Sequence, residues 1–358
     1  MKKFLILLVL SITPFLGKAS HIVGGEFELI HIAGNNYRLN LILYFDLAHG
    51  APGAKDADVT ARIFRMSDNM PMMNVFLPLG PESLVSYSQP ECSIGDLQTN
   101  KLIYTTTIFL SPDIFNHPSG YYITWERCCR NYTITNIFSE APIPGQQVIY
   151  AGQTFYLEFP PVVKNGEPFI DSTPKLFPPL SDYACVGKPY YVDFTGSDDD
   201  GDSLVYSLVA PLNTKSAEAL PPGGPRPRPY PEVTWRPGFS LDQVMGGSPD
   251  LEVSDAGLLT VTPTQEGLFV FAVKVEEFRD GVKIGETRRD FQMLAVVCKT
   301  ARPPIIKGKK LVDTDFAYQD NMNITFPHSI PNAERCIEVQ VYDPDIHNDF
   351  DNEDIRGL

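Results

Sequence analysis

The chain has 358 residues and a formal net charge of −15, and 43% of its residues are hydrophobic. This hydrophobic share is typical of a globular protein and excludes intrinsic disorder, while 32 prolines and 26 glycines disfavour the long helices of a coiled coil. The negative charge argues against nucleic acid or an anionic membrane surface as a partner, because phosphate groups would repel the protein.

Residues 1–19 have the three parts of a secretory signal peptide. Lys2 and Lys3 form a basic start, an uninterrupted apolar run follows at 4–10, and small residues precede a predicted cleavage before Ser20. A membrane span needs roughly 18 or more apolar residues, and this run is much shorter. We therefore predict an exported protein, secreted or held on the outer cell surface, without a membrane span.

Residues 20–160 are predicted to form a first β-sandwich module. Apolar and polar residues alternate over 37–45, and the same period of two recurs at 121–125 and 155–159. Clusters of glycine, asparagine and proline, which favour turns, separate these runs. No stretch of the chain shows apolar residues at sustained helical spacing, so the whole protein is predicted to be all-β.

Two further modules are predicted beyond the first. Residues 161–300 contain alternating runs at 269–275 and 291–297, and these are typical of an Ig-like or cadherin-like β-sandwich. Residues 301–358 begin with a similar proline-led phrase, which indicates a weak repeat, but the sequence ends before the strands that would complete it. We therefore predict tandem Ig-like β-sandwich modules, the last one incomplete, in a fragment of a longer protein.

Export makes the cysteines candidates for disulfide bonds rather than for redox catalysis. Cys185 and Cys298 are the two cysteines of the second module and lie near its first and last predicted core strands. We predict that they are joined. The competing pair is Cys298 with Cys336, which would tie the second module to the third.

The first module contains an adjacent pair of cysteines, Cys128 and Cys129, and a third cysteine, Cys92. Neighbouring residues of a strand point to opposite faces. The adjacent pair is therefore expected to have different partners, or to include a free thiol. On this basis we predict a bond from Cys92 to Cys128 or Cys129.

The acidic run at 198–202 is the strongest candidate for binding chemistry. Closely spaced carboxylates repel one another, and a hard cation with oxygen ligands relieves that repulsion. Calcium held by Asp198, Asp200 and Asp202 is one interpretation, and a solvated Asp-Gly turn is the other. The acidic segment at 343–354 has the same two interpretations.

One motif suggests an enzyme of a different class. The sequence Gly-Asp-Ser-Leu at 201–204 matches the nucleophile segment of a lipase family, so a GDSL-type esterase using Ser203 is an alternative. That chemistry needs the serine on a strand-to-helix turn and a distant Asp-x-x-His. Here a strand is predicted to follow, and Pro344 stands three residues before His347. A hairpin turn explains the motif better, and no catalytic residue is predicted.

Several segments together resemble a known family. They are residues 20–26, 125–131 with its Cys-Cys-Arg-Asn sequence, and 200–208 together with Cys185. These segments resemble the N-terminal region of gliding-motility-associated surface proteins from bacteria with type IX secretion, and the likeness covers most of residues 20–300. In that family such modules precede Ig-like, PKD-type or cadherin-like repeats and a C-terminal sorting domain. The resemblance implies no catalytic residues.

The combined prediction is an exported, non-catalytic structural or adhesion protein associated with gliding motility. It would present loops on rigid β modules to other cell-surface proteins or extracellular glycans, next to further modules of a longer chain. The alternative is a carbohydrate-binding module of a larger extracellular protein. Apart from the calcium at 198–202, no cofactor is predicted.

Overall fold

A computed structural model describes most of the chain. The described residues are 22–48, 50, 55–86, 98–140, 149–177, 183–298, 305–319, 322–327, 329, 331 and 335–342. Within them the regular elements are all strands, which confirms the predicted all-β class. No helix in this part of the chain is long and apolar enough to cross a membrane.

The strands divide into a long-stranded first part and a second part with many short strands. The first seven are β1 (Ile22–Ala33), β2 (Asn36–Asp46), β3 (Asp58–Arg65), β4 (Pro71–Leu84), β5 (Thr99–Phe109), β6 (Tyr121–Cys128) and β7 (Gly152–Phe159). The others are β8 (Val163–Lys164), β9 (Glu167–Pro168), β10 (Lys175–Leu176), β11 (Ala184–Cys185), β12 (Tyr190–Asp193), β13 (Gly196–Ser197), β14 (Ser203–Val209), β15 (Glu252–Val253), β16 (Leu258–Val261), β17 (Gly267–Arg279), β18 (Val282–Val296), β19 (Ile305–Lys310), β20 (Tyr318–Gln319) and β21 (Ile337–Tyr342).

Eight antiparallel strands close into a ring. Their order is β1-β2-β5-β4-β3-β6-β7-β18, and β18 pairs again with β1, with Gly25 opposite Asp290. Gly24 permits this closure, because a Cβ atom there would lie 2.1 Å from the carbonyl oxygen of Asp290. Strands β17 and β14 extend the same sheet from β18, and β11 pairs with β18 in parallel.

The predicted tandem Ig-like sandwiches are wrong. Strand β18 comes from the predicted second module, yet it pairs with β7 and β1 of the predicted first module and so closes their sheet. The alternation of apolar residues identifies a strand and its buried face, but it does not identify the neighbouring strand. The ring therefore joins strands that the sequence pattern had assigned to separate sandwiches.

The two largest hydrophobic cores among the described residues lie on the two sides of this sheet. The inner core fills the ring and includes Leu39, Leu41 and Trp125, whose ring stacks on Phe155. The outer core packs β17 and β18 against the small sheet β12-β16-β15. Strand β2 contributes to both cores, since Leu41 belongs to the inner core and the following residue, Ile42, belongs to the outer core. Residues of both parities are therefore buried in β2.

The chain divides into two compact units, residues 1–297 and residues 298–358. The first unit holds the ring, both cores and the candidate site described below. In the second unit the described strands form one small antiparallel sheet in the order β20-β19-β21. The predicted acidic segment at 343–354 lies outside the described residues.

Candidate metal centre

The acidic run at 198–202 forms the tight turn between β13 and β14. Asp198 organises this turn, since its Oδ1 accepts hydrogen bonds from the backbone N–H groups of Asp200 (3.0 Å) and Asp202 (2.9 Å). Gly201 has φ +81°, a left-handed conformation that glycine adopts without a Cβ penalty. The Asp200 carboxylate turns aside and accepts a hydrogen bond from the backbone N–H of Ser172 (2.6 Å).

Two acidic residues from distant parts of the chain meet Asp202. They are Asp171, in the segment between β9 and β10, and Glu277, on β17. One carboxylate oxygen of each of the three residues lies within 4.8 Å of the others. The structure therefore brings Asp202 into a cluster that differs from the predicted set of Asp198, Asp200 and Asp202.

Arg279, two residues after Glu277 on β17, contacts this acidic cluster. Its Nε and terminal nitrogen donate to the two carboxylate oxygens of Asp202 at 2.7 and 2.5 Å, and a terminal nitrogen donates to Asp171 at 2.7 Å. The same guanidinium lies 4.0 Å from the carboxylate of Asp200. Arg279 therefore holds carboxylates from two segments in fixed positions, as a planar guanidinium does well.

Glu277 differs from the other acids because its carboxyl group has no donor. The residue is 1% exposed, and neither carboxylate oxygen has a hydrogen-bond partner. Burial, reinforced by the charges of Asp171 and Asp198, raises the pKa of Glu277 to about 11. Burial also raises the pKa of Asp171 to about 7, although Arg279 opposes that shift. Full ionisation of Glu277 and Asp171 together is therefore unfavourable.

A signal for Glu277 is present in the sequence. The alternating apolar residues of β17 end at Val275, so the next position of the same parity, 277, would be expected to hold another core residue. A glutamate at such a position is informative because a buried charge needs a partner. Across the β17–β18 hairpin stands Gly285, where a Cβ atom would lie 2.8 Å from Oε2 of Glu277. Asp171 has no comparable signal.

The serine of the alternative esterase reading lies in a strand. Ser203 is exposed, begins β14 and pairs with Phe278 of β17. A nucleophile on a strand-to-helix turn would have a different backbone setting. His347, the histidine considered with that motif, lies outside the described residues.

The cysteines of the first predicted module pair differently from the prediction. Cys128 is bonded to its neighbour Cys129, so the predicted bond from Cys92 to one of them is corrected, and Cys92 itself lies outside the described residues. The two cysteine side chains do not take opposite faces of one strand, because β6 ends at Cys128. Residues 128 and 129 therefore do not continue a regular strand together.

Cys185 and Cys298 are both disulfide-bonded. The parallel pairing of β11 with β18 places Cys185 opposite Val296, two residues before Cys298 in the sequence. This register supports the predicted bond between them, which stays a prediction. Disulfide-bonded cysteines indicate an oxidising environment of the kind that exported proteins meet.

A cleft opens on the outside of the ring where two neighbouring strands separate. Strands β3 and β6 pair over residues 62–65 and 121–124 and then diverge. The cleft has a volume of about 340 Å³, and its lining includes Asp58, Thr60 and Leu220. The proline-rich segment at 221–225 lies over it.

Comparison with known proteins assigns no family. No family model matches the chain, and no curated protein matches it. The resemblance to gliding-motility-associated proteins therefore stays a prediction that rests on the sequence motifs.

Proposed function

We propose that this chain is an exported, non-catalytic structural or adhesion protein, associated with gliding motility, that presents a rigid recognition surface. The observation that carries the proposal is the anchored proline-rich loop at 221–231, which lies on the outside of the closed ring. A surface that is ordered before it meets its partner loses less conformational entropy on binding.

Side chains of two ring strands hold this loop in place. The two carboxylate oxygens of Glu126, a fully buried residue of β6, accept hydrogen bonds from the backbone N–H groups of Arg226 (2.7 Å) and Lys215 (3.2 Å). Arg62 of β3 donates to the carbonyl oxygens of Gly223 (2.6 Å) and Pro225 (2.9 Å). The loop is therefore fixed to two neighbouring strands of the ring by side chains that those strands orient.

Buried ion pairs give the same support to the scaffold beneath the loop. Arg130 pairs with Asp290, and Arg289 pairs with Glu26, and all four side chains are at most 7% exposed. Both pairs connect β18 to other parts of the first unit. The charges therefore join β18 to β1 and to the segment that follows β6, which supports a structural role rather than a catalytic one.

Export and surface display are tested in the bacterium that carries the gene. We expect the mature product to begin at Ser20, to be accessible to antibody on intact cells, and to be needed for attachment or gliding. A copy carrying Ser203→Ala should restore the deletion strain as well as the wild-type copy does. A product confined to the cytoplasm, or a Ser203→Ala copy that fails to restore the phenotype, would contradict the proposal.

The cleft between β3 and β6 favours a second function, that of a carbohydrate-binding module. Its lining combines an exposed apolar side chain, Leu220, with polar side chains such as Asp58 and Asn74. Sugars present both apolar C–H faces and hydroxyl groups, so mixed linings of this kind suit them. A saccharide is the ligand class that this second proposal names.

Glycan-array binding tests the second function. Thr60 also lines the cleft and is exposed, and Thr60→Trp should fill the cleft and abolish binding. Thr107→Trp is the matched control, because Thr107 is an exposed threonine on another strand of the ring, β5. Equal binding by the two variants, or no binding by the wild-type protein, would rule out a saccharide in this cleft.

A further inference from the structure

Five carboxylates converge around Arg279 in the first unit. One carboxylate oxygen each of Asp171, Asp202 and Glu277 lies within 4.8 Å of the others, and the turn residues Asp198 and Asp200 adjoin them. With one guanidinium, five ionised carboxylates have a formal charge of −4. Such a charge inside a folded domain is unfavourable unless protons or cations compensate it.

Hydrogen bonds account for only part of this cluster. Arg279 and backbone N–H groups satisfy oxygens of Asp171, Asp200 and Asp202. Both oxygens of Glu277 and Oδ2 of Asp198 are buried and have no partner. A carboxylate is only an acceptor, so these two groups cannot satisfy each other while both are ionised. The three unpartnered oxygens require either a proton or a cation between them.

We propose that Asp171, Asp202 and Glu277, assisted by Asp198, form a calcium-binding site. Oxygen ligands lie 2.3–2.6 Å from Ca²⁺, so two ligands of one ion are separated by at most about 5 Å. The ligand oxygens of the triad lie within 4.8 Å of one another. The spacing therefore fits a single ion held between β17, the turn at 198–202 and the segment that contains Asp171.

The donor set favours calcium over other common cations. All of the groups are carboxylates, which suit hard cations, and Ca²⁺ accepts six to eight oxygens in flexible geometry. Mg²⁺ is usually bound through one or two carboxylates and keeps several waters. One Ca²⁺ would reduce the formal charge of the cluster from −4 to −2. Carboxylate oxygens that accept from Arg279 retain a lone pair for the ion.

Space for the ion's main ligand depends on Gly285. A Cβ atom at that position would approach Oε2 of Glu277 to 2.8 Å, so the absence of a side chain leaves room for the glutamate to lie inside the sheet. The proposal goes beyond the structural or adhesive function and does not depend on it. Export and adhesion do not require calcium binding. The proposed function is tested by display on cells, and the calcium site is tested by titration of the purified protein, so each proposal fails in its own experiment.

The test is calcium titration of the mature protein, residues 20–358, after removal of metal with a chelator. Calorimetry should show one Ca²⁺ per chain, and the melting temperature should rise in millimolar calcium, since binding to the native state alone stabilises it. Glu277→Gln keeps the shape of the side chain and removes its charge. It should weaken calcium binding about 100-fold or more, because loss of a residue that only supports a metal ligand already weakens metal binding by up to about 100-fold. In chelator this variant should melt no lower than the wild type.

Asp199→Asn is the matched control. Asp199 belongs to the same run of aspartates, but its side chain is 52% exposed and pairs with Lys175. This variant should bind calcium like the wild type. If Glu277→Gln does not fold, Asp171→Asn replaces it with the loss of calcium binding as the only criterion, because Asp171 also accepts a hydrogen bond from Arg279.

Two results would overturn the proposed site, and a third would contradict the choice of ion. One is a wild-type protein with no binding heat and identical melting in chelator and in millimolar calcium, which would leave Glu277 as a buried neutral acid. The other is undiminished calcium binding by Glu277→Gln, which would place any ion on the exposed turn alone. Magnesium in place of calcium should give a smaller rise in melting temperature, and a larger rise would contradict the choice of ion.

Discussion

Replacement of Arg130 by methionine should strongly destabilise the first unit. Arg130 is fully buried and lies just after β6. Its terminal nitrogens donate to both carboxylate oxygens of Asp290, at 2.7 and 2.5 Å, and it also donates to the carbonyl oxygens of Gly152 (2.6 Å) and Leu212 (3.2 Å). Arg130→Met therefore leaves a buried carboxylate and two carbonyl groups without these donors.

The magnitude follows from the burial of the pair. Breaking a buried ion pair by removal of one partner costs about 3–5 kcal/mol, because the remaining charge is uncompensated. Arg130→Lys should lose part of this, since an ammonium group cannot form the same bidentate contact and also reach both carbonyls. The double change Arg130→Met with Asp290→Leu should recover the part of the loss that comes from the stranded charge, while the carbonyl groups of Gly152 and Leu212 stay without these donors.

Urea unfolding with the disulfides intact measures these differences as shifts in midpoint at unchanged slope. Burial raises the pKa of Asp290 and Arg130 lowers it. Without Arg130 the carboxyl takes up a proton more readily, so the loss of stability should be smaller at pH 5 than at pH 8. The exposed pair Lys55–Glu82 provides the control, and Lys55→Met should change the free energy of unfolding by less than about 1 kcal/mol. A loss that is independent of pH, or a double variant no more stable than the single one, would refute the reasoning.

Three further predictions concern other parts of the first unit. Burial raises the pKa of Glu28 above 4.5, so its contribution to stability is full below pH 4.5 and is lost as the pH rises through the folded-state value. The urea midpoint of Glu28→Gln should therefore increase relative to that of the wild type as the pH approaches neutrality. Parallel pH profiles of the two proteins would contradict this. Gly24→Ala should cost about 1–3 kcal/mol or more, since its Cβ would meet a backbone oxygen of Asp290; an unchanged melting temperature would show that β1 can shift away from β18. Non-reducing peptide mapping should recover Cys185 joined to Cys298, and a peptide that joins Cys298 to another cysteine would disprove the pairing.

Much of the local structure could be predicted from short-range pattern alone. The alternation over 37–45 predicts a strand, and β2 spans Asn36–Asp46. The Asp-Gly sequence at 200–201 predicts a turn, and Gly201 adopts the left-handed conformation that such a turn uses. These features follow from backbone sterics and from the period of two of a strand, which act over a few residues.

Only part of the candidate site could be predicted from the sequence. The carboxylates at 198–202 are conspicuous because they are neighbours, but the residues that enclose the predicted ion, Asp171 and Glu277, are separated from each other by 106 positions. Glu277 could have been suspected from its place in an apolar alternation. Asp171 could not, since its position depends on the path of a segment without regular structure.

Which strands are neighbours was decided by the tertiary structure. The alternation in β2 places Ile42 on the face opposite the inner core, where a strand is often exposed. Ile42 is nevertheless buried, because β17, β18 and the short strands build a second core on the outer face of the ring. β18 closes the ring because it can pair with β7 on one side and with the glycines of β1 on the other. The sequence by itself determined an all-β chain with a tight acidic turn, through local sterics and the strand period. The closed ring and the cluster around Glu277 depend on burial and pairing between residues far apart in the chain, which no local pattern records.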